Sequence, residues 1–375
     1  MAETKDLPEE AAIFGKTAHQ LSKTGYGPPE SYIWTNKIEI DAPLATDIPV
    51  IDVSLLASSS DAELTALHSA LTKWGCFQAV NHGIESASLD EMRLLITEFF
   101  HLPELEKQRY TREGNDIEGY SSCPPVARTQ KFEWSDRLHL QVAPEDGRKL
   151  KFWPQNPEPF RYKKNAGPLI KLSSDYTIDL IENNFPCTCR KVLEDYSAKI
   201  RHVEEQIFRA IAKTLSLTDE DCFVKKMPTL CAQFNYYPPC SKHDQVIGLR
   251  PHTDGTGITL LLQDSQVRGL QILKDNQWLS VPIIPQALFV LPGDQLELMS
   301  NGIFKSTWHR VVINSEAERI SVAMFFFPDI ADEIGPLDQL VDEERPKMFN
   351  KVTNYKGGYY NYYHQEKRGI DALKI

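Results

Sequence analysis

His252-Thr253-Asp254-Gly255-Thr256-Gly257-Ile258-Thr259-Leu260-Leu261-Leu262 places two metal-ligand residue types directly before an apolar, strand-favouring run. Outward from it, the chain from residue 230 onward breaks into short segments of β-branched, leucine and aromatic residues divided by turns. Examples are 257–262, 270–273, 295–299, 308–313 and 319–327, with Lys274-Asp275-Asn276-Gln277 as a turn. Segments of this kind, bounded by polar turn residues, read as strands. About eight of them suit a double-sheet jelly roll, whose metal-binding form is the double-stranded β-helix. The expected class is α+β, a jelly-roll core with N-terminal and supporting helices.

Two further groups complete a constellation. His252, Asp254 and a later His309 offer two imidazoles and one carboxylate, a set that occupies one face of an octahedral Fe(II) and leaves three positions open. An H-x-D triplet recurs by chance, and a lone strand histidine is more often packed or hydrogen-bonded than a ligand. The weight therefore rests on the combination. Arg319 stands ten residues past His309, and strand periodicity turns Ser321 to the same face as Arg319. A guanidinium fork beside a hydroxyl suits a small carboxylate in a barrel interior. Upstream, Asn235-Tyr236-Tyr237 runs into Pro238-Pro239-Cys240, a strand stopped by proline, whose tyrosines packing alone would explain.

Before the core, an N-terminal arm of forty-odd residues with a short helix at best precedes a strand at 48–53, a helix at 62–74 and a strand at 76–80. A second helix follows at 89–100, then a strand at 131–142 of mixed aromatic and charged residues. Residues 191–217 carry Val192, Tyr196, Ile200, Val203, Ile207, Ile211 and Leu215 on one helical stripe, suited to buttressing a sheet. The division expected is a mostly helical region at 1–225, a jelly-roll core at 226–330 and an aromatic tail or helix at 331–375. His82 reads as a turn residue.

The 375 residues suffice for a large core, and a formal charge of −11 with no basic run argues against nucleic acid or an anionic membrane as partner. No signal-like leader and no stretch of membrane-spanning length is present, so a cytoplasmic protein is expected, acting as a monomer on a small molecule. Seven cysteines, odd in number and scattered, form no disulfide framework, and Cys187-Thr188-Cys189 lacks the two-residue spacing of a redox or zinc pair.

On the metal-type residues, the Asn-Tyr-Tyr-Pro-Pro segment, and the further stretches Ile48-Pro49-Val50-Ile51-Asp52 and Trp74-Gly75-Cys76-Phe77-Gln78-Ala79-Val80-Asn81-His82-Gly83, the chain resembles the plant 2-oxoglutarate- and Fe(II)-dependent dioxygenases. Within them it is similar to the branch that includes codeine and thebaine demethylases and the lateral branching oxidoreductase. The resemblance implies His252, Asp254 and His309 as iron ligands. It implies Arg319, Ser321 and Tyr237 as the grip on the distal carboxylate of 2-oxoglutarate, with Asn235 nearby. Dioxygen would be the second co-substrate and ascorbate a candidate reductant. Two positions depart from the family pattern: Gln233 replaces a basic residue and Trp308 an acidic one. Neighbours of a metal-bound histidine set its tautomer, so these bear on orientation and pocket shape.

The implied reaction couples oxidative decarboxylation of 2-oxoglutarate to oxidation of a substrate carbon: hydroxylation, O-demethylation, desaturation or ring closure. Trp134, Leu138 and Leu140 on the mid-chain strand, Phe325 and Phe327 after Ser321, and the aromatic tail 359–363 are the candidate substrate wall. As a set they favour a hydrophobic plant metabolite or hormone-like molecule over a sugar or peptide. Two other classes are weighed: a non-catalytic small-molecule binder on the same jelly roll, and a divalent-metal hydrolase or isomerase, since two histidines and a carboxylate also serve zinc. An intact carboxylate clamp argues against both.

One segment is out of place. In relatives, a pair like Phe160-Arg161 leads directly into a helix start like Lys191-Val192-Leu193-Glu194, whereas here residues 162–190 intervene without a clean period. Arg161-Tyr162 can be encoded with a splice donor and Cys189-Arg190 with an acceptor. The segment is either a real loop or a retained intron, and the codons permit the second.

Overall fold

The computed structural model describes residues 16–25, 27–114, 116–122, 131–155 and 188–375, the last stretch by backbone alone at 188–190. The candidate insertion at 162–190 otherwise lies outside the described residues. Along the chain the strands are β1 (Val50–Asp52), β2 (Phe77–Val80), β3 (Gly119–Ser122), β4 (Asp136–Ala143), β5 (Thr229–Tyr237), β6 (Ile247–His252) and β7 (Ile258–Gln263). Then come β8 (Leu270–Lys274), β9 (Gln277–Ser280), β10 (Leu288–Pro292), β11 (His309–Val312), β12 (Arg319–Phe327), β13 (Glu333–Ile334) and β14 (Val352–Thr353). They form an eight-stranded sheet in the order β1-β2-β10-β7-β12-β5-β4-β3, a four-stranded sheet in the order β6-β11-β8-β9, and the small β13-β14 pair. The two larger sheets enclose a cavity, which is the jelly-roll architecture expected. The large sheet also takes in β1 to β4, from well before residue 226.

Strand β12 shows how alternation builds both sides of the large sheet. Ile320, Val322, Met324 and Phe326 pack into the main core with the long helix Thr188–Thr214, whose Tyr196, Ile200, Val203, Ile207 and Ile211 are buried there. The intervening Arg319, Ser321, Ala323, Phe325 and Phe327 line the cavity. Since successive side chains alternate faces, a strand buried on both sides can hold a hydrophobic core and a polar site at once. The partner strand β5 aligns Tyr237 with Arg319 and Asn235 with Ser321. It stops where Pro238 removes the next ladder donor. In the smaller sheet, β8 and β9 join through Asp275 and Asn276, both at positive φ (49° and 59°), the conformation a two-residue hairpin requires.

Three expected elements differ. Residues 295–299 belong to a buried helix, Asp294–Met299, not a strand. The alternation of Leu296 and Leu298 mimics a strand, but Gln, Leu, Glu and Met are helix formers, and the run has no β-branched residue. Strand β1 is shorter than 48–53, because the Asp52 carboxylate accepts from the amides of Ser54 (3.0 Å) and Leu55 (3.3 Å) and starts a helix at Val53. The strand expected at 131–142 begins only at Asp136. In the tail, Asn354 takes a left-handed conformation (φ 54°) and its side chain accepts from the Gly357 amide, capping the helix Tyr355–Tyr363. That helix covers the mouth of the cavity.

Candidate active site

His252 ends β6 and His309 begins β11, and the two are direct cross-strand partners. Their rings are 4.1 Å apart between centroids. The His252 Nδ1 donates to the carbonyl of Arg250 (2.8 Å) and the His309 Nδ1 to that of Thr307 (3.1 Å). With Nδ1 so engaged, each ring offers Nε2 as an acceptor. Asp254, just past β6, brings Oδ1 to 3.5 Å from the His252 Nε2 and 3.6 Å from the His309 Nε2. Its other oxygen, Oδ2, accepts from the Thr259 hydroxyl at 2.6 Å on β7. All three residues are buried, with a ligand atom of each within 4.8 Å of the others. Every polar atom pointing away from the shared space is held by the protein, leaving two imidazole nitrogens and one carboxylate oxygen converging on a point.

The charge states suit a cation. Burial pulls the Asp254 carboxyl upward, but the His309 and His252 imidazoles and the Thr259 hydroxyl outweigh it and hold it at about 2. Burial, with His252 beside it, pushes the His309 imidazole down to about 4. At neutral pH the set is one carboxylate and a neutral His309, as metal ligation demands.

Further along the same cavity lies Arg319, 2% exposed. Among the described residues no hydrogen-bond acceptor meets its Nε, Nη1 or Nη2. The Tyr237 ring lies 5.2 Å from the guanidinium carbon. Burial lowers the pKa of Arg319, and the nearby Tyr237 and Asp264 act against that shift. Gly269 makes the space for it: a Cβ there would meet the Arg319 Cδ and the Val312 carbonyl oxygen, each at 2.9 Å. Asn235 donates to the Ser321 hydroxyl at 3.3 Å and accepts from Gln233 at 2.9 Å, so β5 and β12 share a polar row beside the guanidinium. A buried cation without an acceptor is costly unless an anion is supplied.

The substrate wall expected from sequence divides. Phe325 and Phe327 line the cavity, as do Tyr359, Tyr360 and Tyr363 of the C-terminal helix. Leu138 and Leu140 do not: they face the helical core, and their neighbours Arg137 and His139 on β4 face the cavity instead. Trp134 packs against Tyr32 (5.1 Å between rings) and donates to the Pro238 carbonyl at 3.1 Å, away from the lining. Choosing apolar residues for an apolar pocket selected the wrong parity on a strand buried on both faces. Sequence reading also passed over Thr259, Gly269 and Lys356. A lone hydroxyl in the apolar run 258–262 was the signal available for Thr259.

The tail is fastened to the ligand loop. Tyr359 donates to the Thr253 carbonyl at 2.6 Å, and the Tyr359 ring lies where a Cβ on Gly255 would stand, 2.6 Å away. Tyr355 donates to Asp294 at 2.7 Å, and the Asp294 amide donates to the Asp254 carbonyl at 2.7 Å. Tyr363 donates to buried Glu133 at 2.7 Å; Glu133 also pairs with Arg137 and, at 2.8 Å, with Arg250.

Residues 228–328 match the 2OG-Fe(II) oxygenase superfamily, and residues 48–156 match the N-terminal region of the non-haem dioxygenases in morphine synthesis. Protein SRG1 of Arabidopsis thaliana is 35% identical over 386 aligned residues, covering 100% of both chains. The chain belongs to the 2OG-Fe(II) oxygenase superfamily. Codeine O-demethylase of Papaver somniferum is 35% identical to this oxygenase over 312 residues, covering 81% of this chain and 78% of the relative. The solved structure of JOX2 in complex with 2OG, Fe and JA matches the oxygenase with a TM-score of 0.78 at 30% identity, over 96% of this chain and 98% of that one. The oxygenase is therefore an enzyme, a dioxygenase that uses Fe(II) and 2-oxoglutarate. Family membership supports this reading over the hydrolase and the non-catalytic binder. Among the described residues no helix is long and apolar enough to cross a membrane.

Proposed function

We propose that this dioxygenase oxidises a hydrophobic plant metabolite or hormone-like molecule by hydroxylation or O-demethylation, with His252, Asp254 and His309 holding iron and Arg319, Ser321, Tyr237 and Asn235 holding 2-oxoglutarate. The observation that carries this reading is the buried guanidinium of Arg319, without an acceptor, in the same cavity as the three converging ligand atoms. A hydrolase needs no such carboxylate seat. The donor set fits Fe(II), since two imidazoles and one carboxylate satisfy its preference and leave three positions for co-substrates.

When bound, iron and 2-oxoglutarate supply the dioxygen activation and the electrons for the reaction. The protein's own part is placement. The Arg250 and Thr307 carbonyls fix the histidine tautomers, and the Thr259 hydroxyl fixes which Asp254 oxygen faces inward. These outer partners orient the ligands before any metal arrives. Arg319 supplies a planar fork for the distal carboxylate. Phe325, Tyr359 and Tyr360 exclude water at the mouth and present apolar surface to the substrate. The target carbon is chosen by how these walls seat the molecule, because small displacements decide which C–H is reached.

The names of the relatives support small-molecule oxidation: the set includes a flavonoid 7-O-demethylase from Ocimum basilicum and thebaine 6-O-demethylase from Papaver somniferum. The substrate reading is tested by incubating the purified enzyme with a plant extract, Fe(II) and 2-oxoglutarate. Mass shifts of plus one oxygen or minus CH2, accompanied by succinate, are expected. Succinate that forms without Fe(II), or no succinate at all, would refute the assignment.

A further inference from the structure

The cavity carries one cation more than its cofactors use. Among the described residues lining it, the permanent cations are Arg137, Arg319 and Lys356, and Asp254 is the sole acid. Arg137 is paired with buried Glu133. Arg319 and a divalent metal together are balanced by Asp254 and the two carboxylates of 2-oxoglutarate. Lys356 is left over. It lies in the first turn of the helix Tyr355–Tyr363, with its Nζ 4.2 Å from the Phe327 ring centroid and 3.7 Å from the Cys231 Sγ. Among the described residues it meets no carboxylate within ion-pair distance. Glu118 is close enough to feel its field, but that carboxylate already accepts from the Gln141 amide at 2.9 Å and faces Lys149 at 3.9 Å.

A second polar group waits beside it. His139 lines the cavity at 7% exposure, and its Nε2 has no hydrogen-bond partner among the described residues. It aligns with Gln233 on β5, two residues from Cys231 on the same face, so it stands one pleat repeat, roughly 7 Å, from the strand position that Lys356 touches. Arg319 is at one end of the inward face of β12, and Phe327, beneath Lys356, is at the other. Thr259, which holds Asp254, aligns with Phe325 between them. The ligand cluster thus separates two cationic poles.

We propose that Lys356, with His139 as a hydrogen-bond donor, seats a carboxylate of the substrate, so that this enzyme oxidises a hydrophobic carboxylic acid whose anionic end lies at the mouth. The proposal rests on the oxygenase reading above and adds the substrate's charge to it. Apolar surface from Phe325, Phe327 and Tyr360 would take the remainder of the molecule and hold its reacting carbon toward the triad.

The test uses full-length enzyme loaded anaerobically with Mn(II) and 2-oxoglutarate. Arylalkanoic acids from phenylacetate to 5-phenylvalerate, each beside its methyl ester, are titrated by calorimetry into wild type, Lys356→Met and Lys356→Arg. A charged hydrogen bond corresponds to roughly ten- to hundredfold in affinity. Wild type should prefer acid to ester by at least about tenfold. Lys356→Met should lose that ratio, and Lys356→Arg should keep it, which a merely structural lysine would not produce. Equal affinity for acid and ester, no binding by any acid, or an unchanged ratio in Lys356→Met would overturn the proposal. Succinate formation by wild type, assayed separately in air with Fe(II) and 2-oxoglutarate, tells the two readings apart. Its presence without acid preference sinks this proposal alone, and its absence sinks the oxygenase reading beneath it.

Discussion

The two ends of the cavity differ in how they are closed. At the inner end, Arg319 is buried against Gly269 and Tyr237 in the body of two sheets, with no room for a side chain at residue 269. At the mouth, Lys356, Tyr359 and Tyr360 come from a single helix, and Tyr360 is 40% exposed. The inner end is made by strand registers that cannot slip without turning every side chain over. The mouth joins that helix, hydrogen-bonded to the ligand loop through Tyr359, to the ends of strands β4 and β12. A site that handles one fixed co-substrate and one variable substrate gains from this split: the first pole is rigid, and the second can be re-lined without disturbing it.

The largest test of that split is at the boundary itself. His309→Ala or Asp254→Ala should cut Mn(II) affinity by more than about a hundredfold and abolish succinate formation, since even outer partners of a metal site are worth about 10- to 100-fold. Retained metal binding in both variants would remove the triad from the site. Next is Arg319→Lys, which keeps charge but loses the fork. Affinity for 2-oxoglutarate should fall by about 1–3 kcal/mol while Mn(II) binding hardly changes. Equal losses of metal and co-substrate would mean that the inner pole and the triad are one unit.

Gly269→Ala probes rigidity without touching a charge. Overpacking against Arg319 should cost about 1–3 kcal/mol, read as weaker 2-oxoglutarate binding or a lower melting temperature; if neither moves, the inner end has slack. The last test concerns pH. Burial holds the imidazoles of His139 at the mouth and His19 in the N-terminal arm at about 3, below the ordinary histidine value near 6.5. Because the unfolded chain then binds more protons below that value, apoprotein stability should fall as pH drops from about 6.5 toward 3. Calorimetry across that range checks the sign, and His139→Asn should flatten part of the slope.

How far the sequence could be read follows the same division. His252, Asp254, His309, Arg319 and Ser321 were legible because few chemistries ask for those residue types at those spacings on alternating strands. The jelly roll was legible because its strands are short and separated by polar turns. Leu138 and Leu140 were misplaced because β4 is buried on both sides, so hydrophobicity carries no information about which face sees the cavity. The helix Asp294–Met299 was hidden for a related reason: its polar Asp294, Gln295 and Glu297 are buried too, so their alternation with Leu296 and Leu298 marks no solvent face and mimics a strand. Lys356 was illegible since its role depends on charge balance among four separate elements. Gly269 was illegible because what matters there is the atom it lacks.

One rung of the smaller sheet reaches beyond catalysis. His252 and His309 face each other across β6 and β11, so an ion bound between them closes a ring through two strands that lie 57 residues apart in the chain. In mechanical terms the ion is a rivet. Prying those strands apart requires its release, so resistance to heat and to proteases should rise with the logarithm of free metal concentration. The lifetime of the protein then depends on how much metal surrounds it.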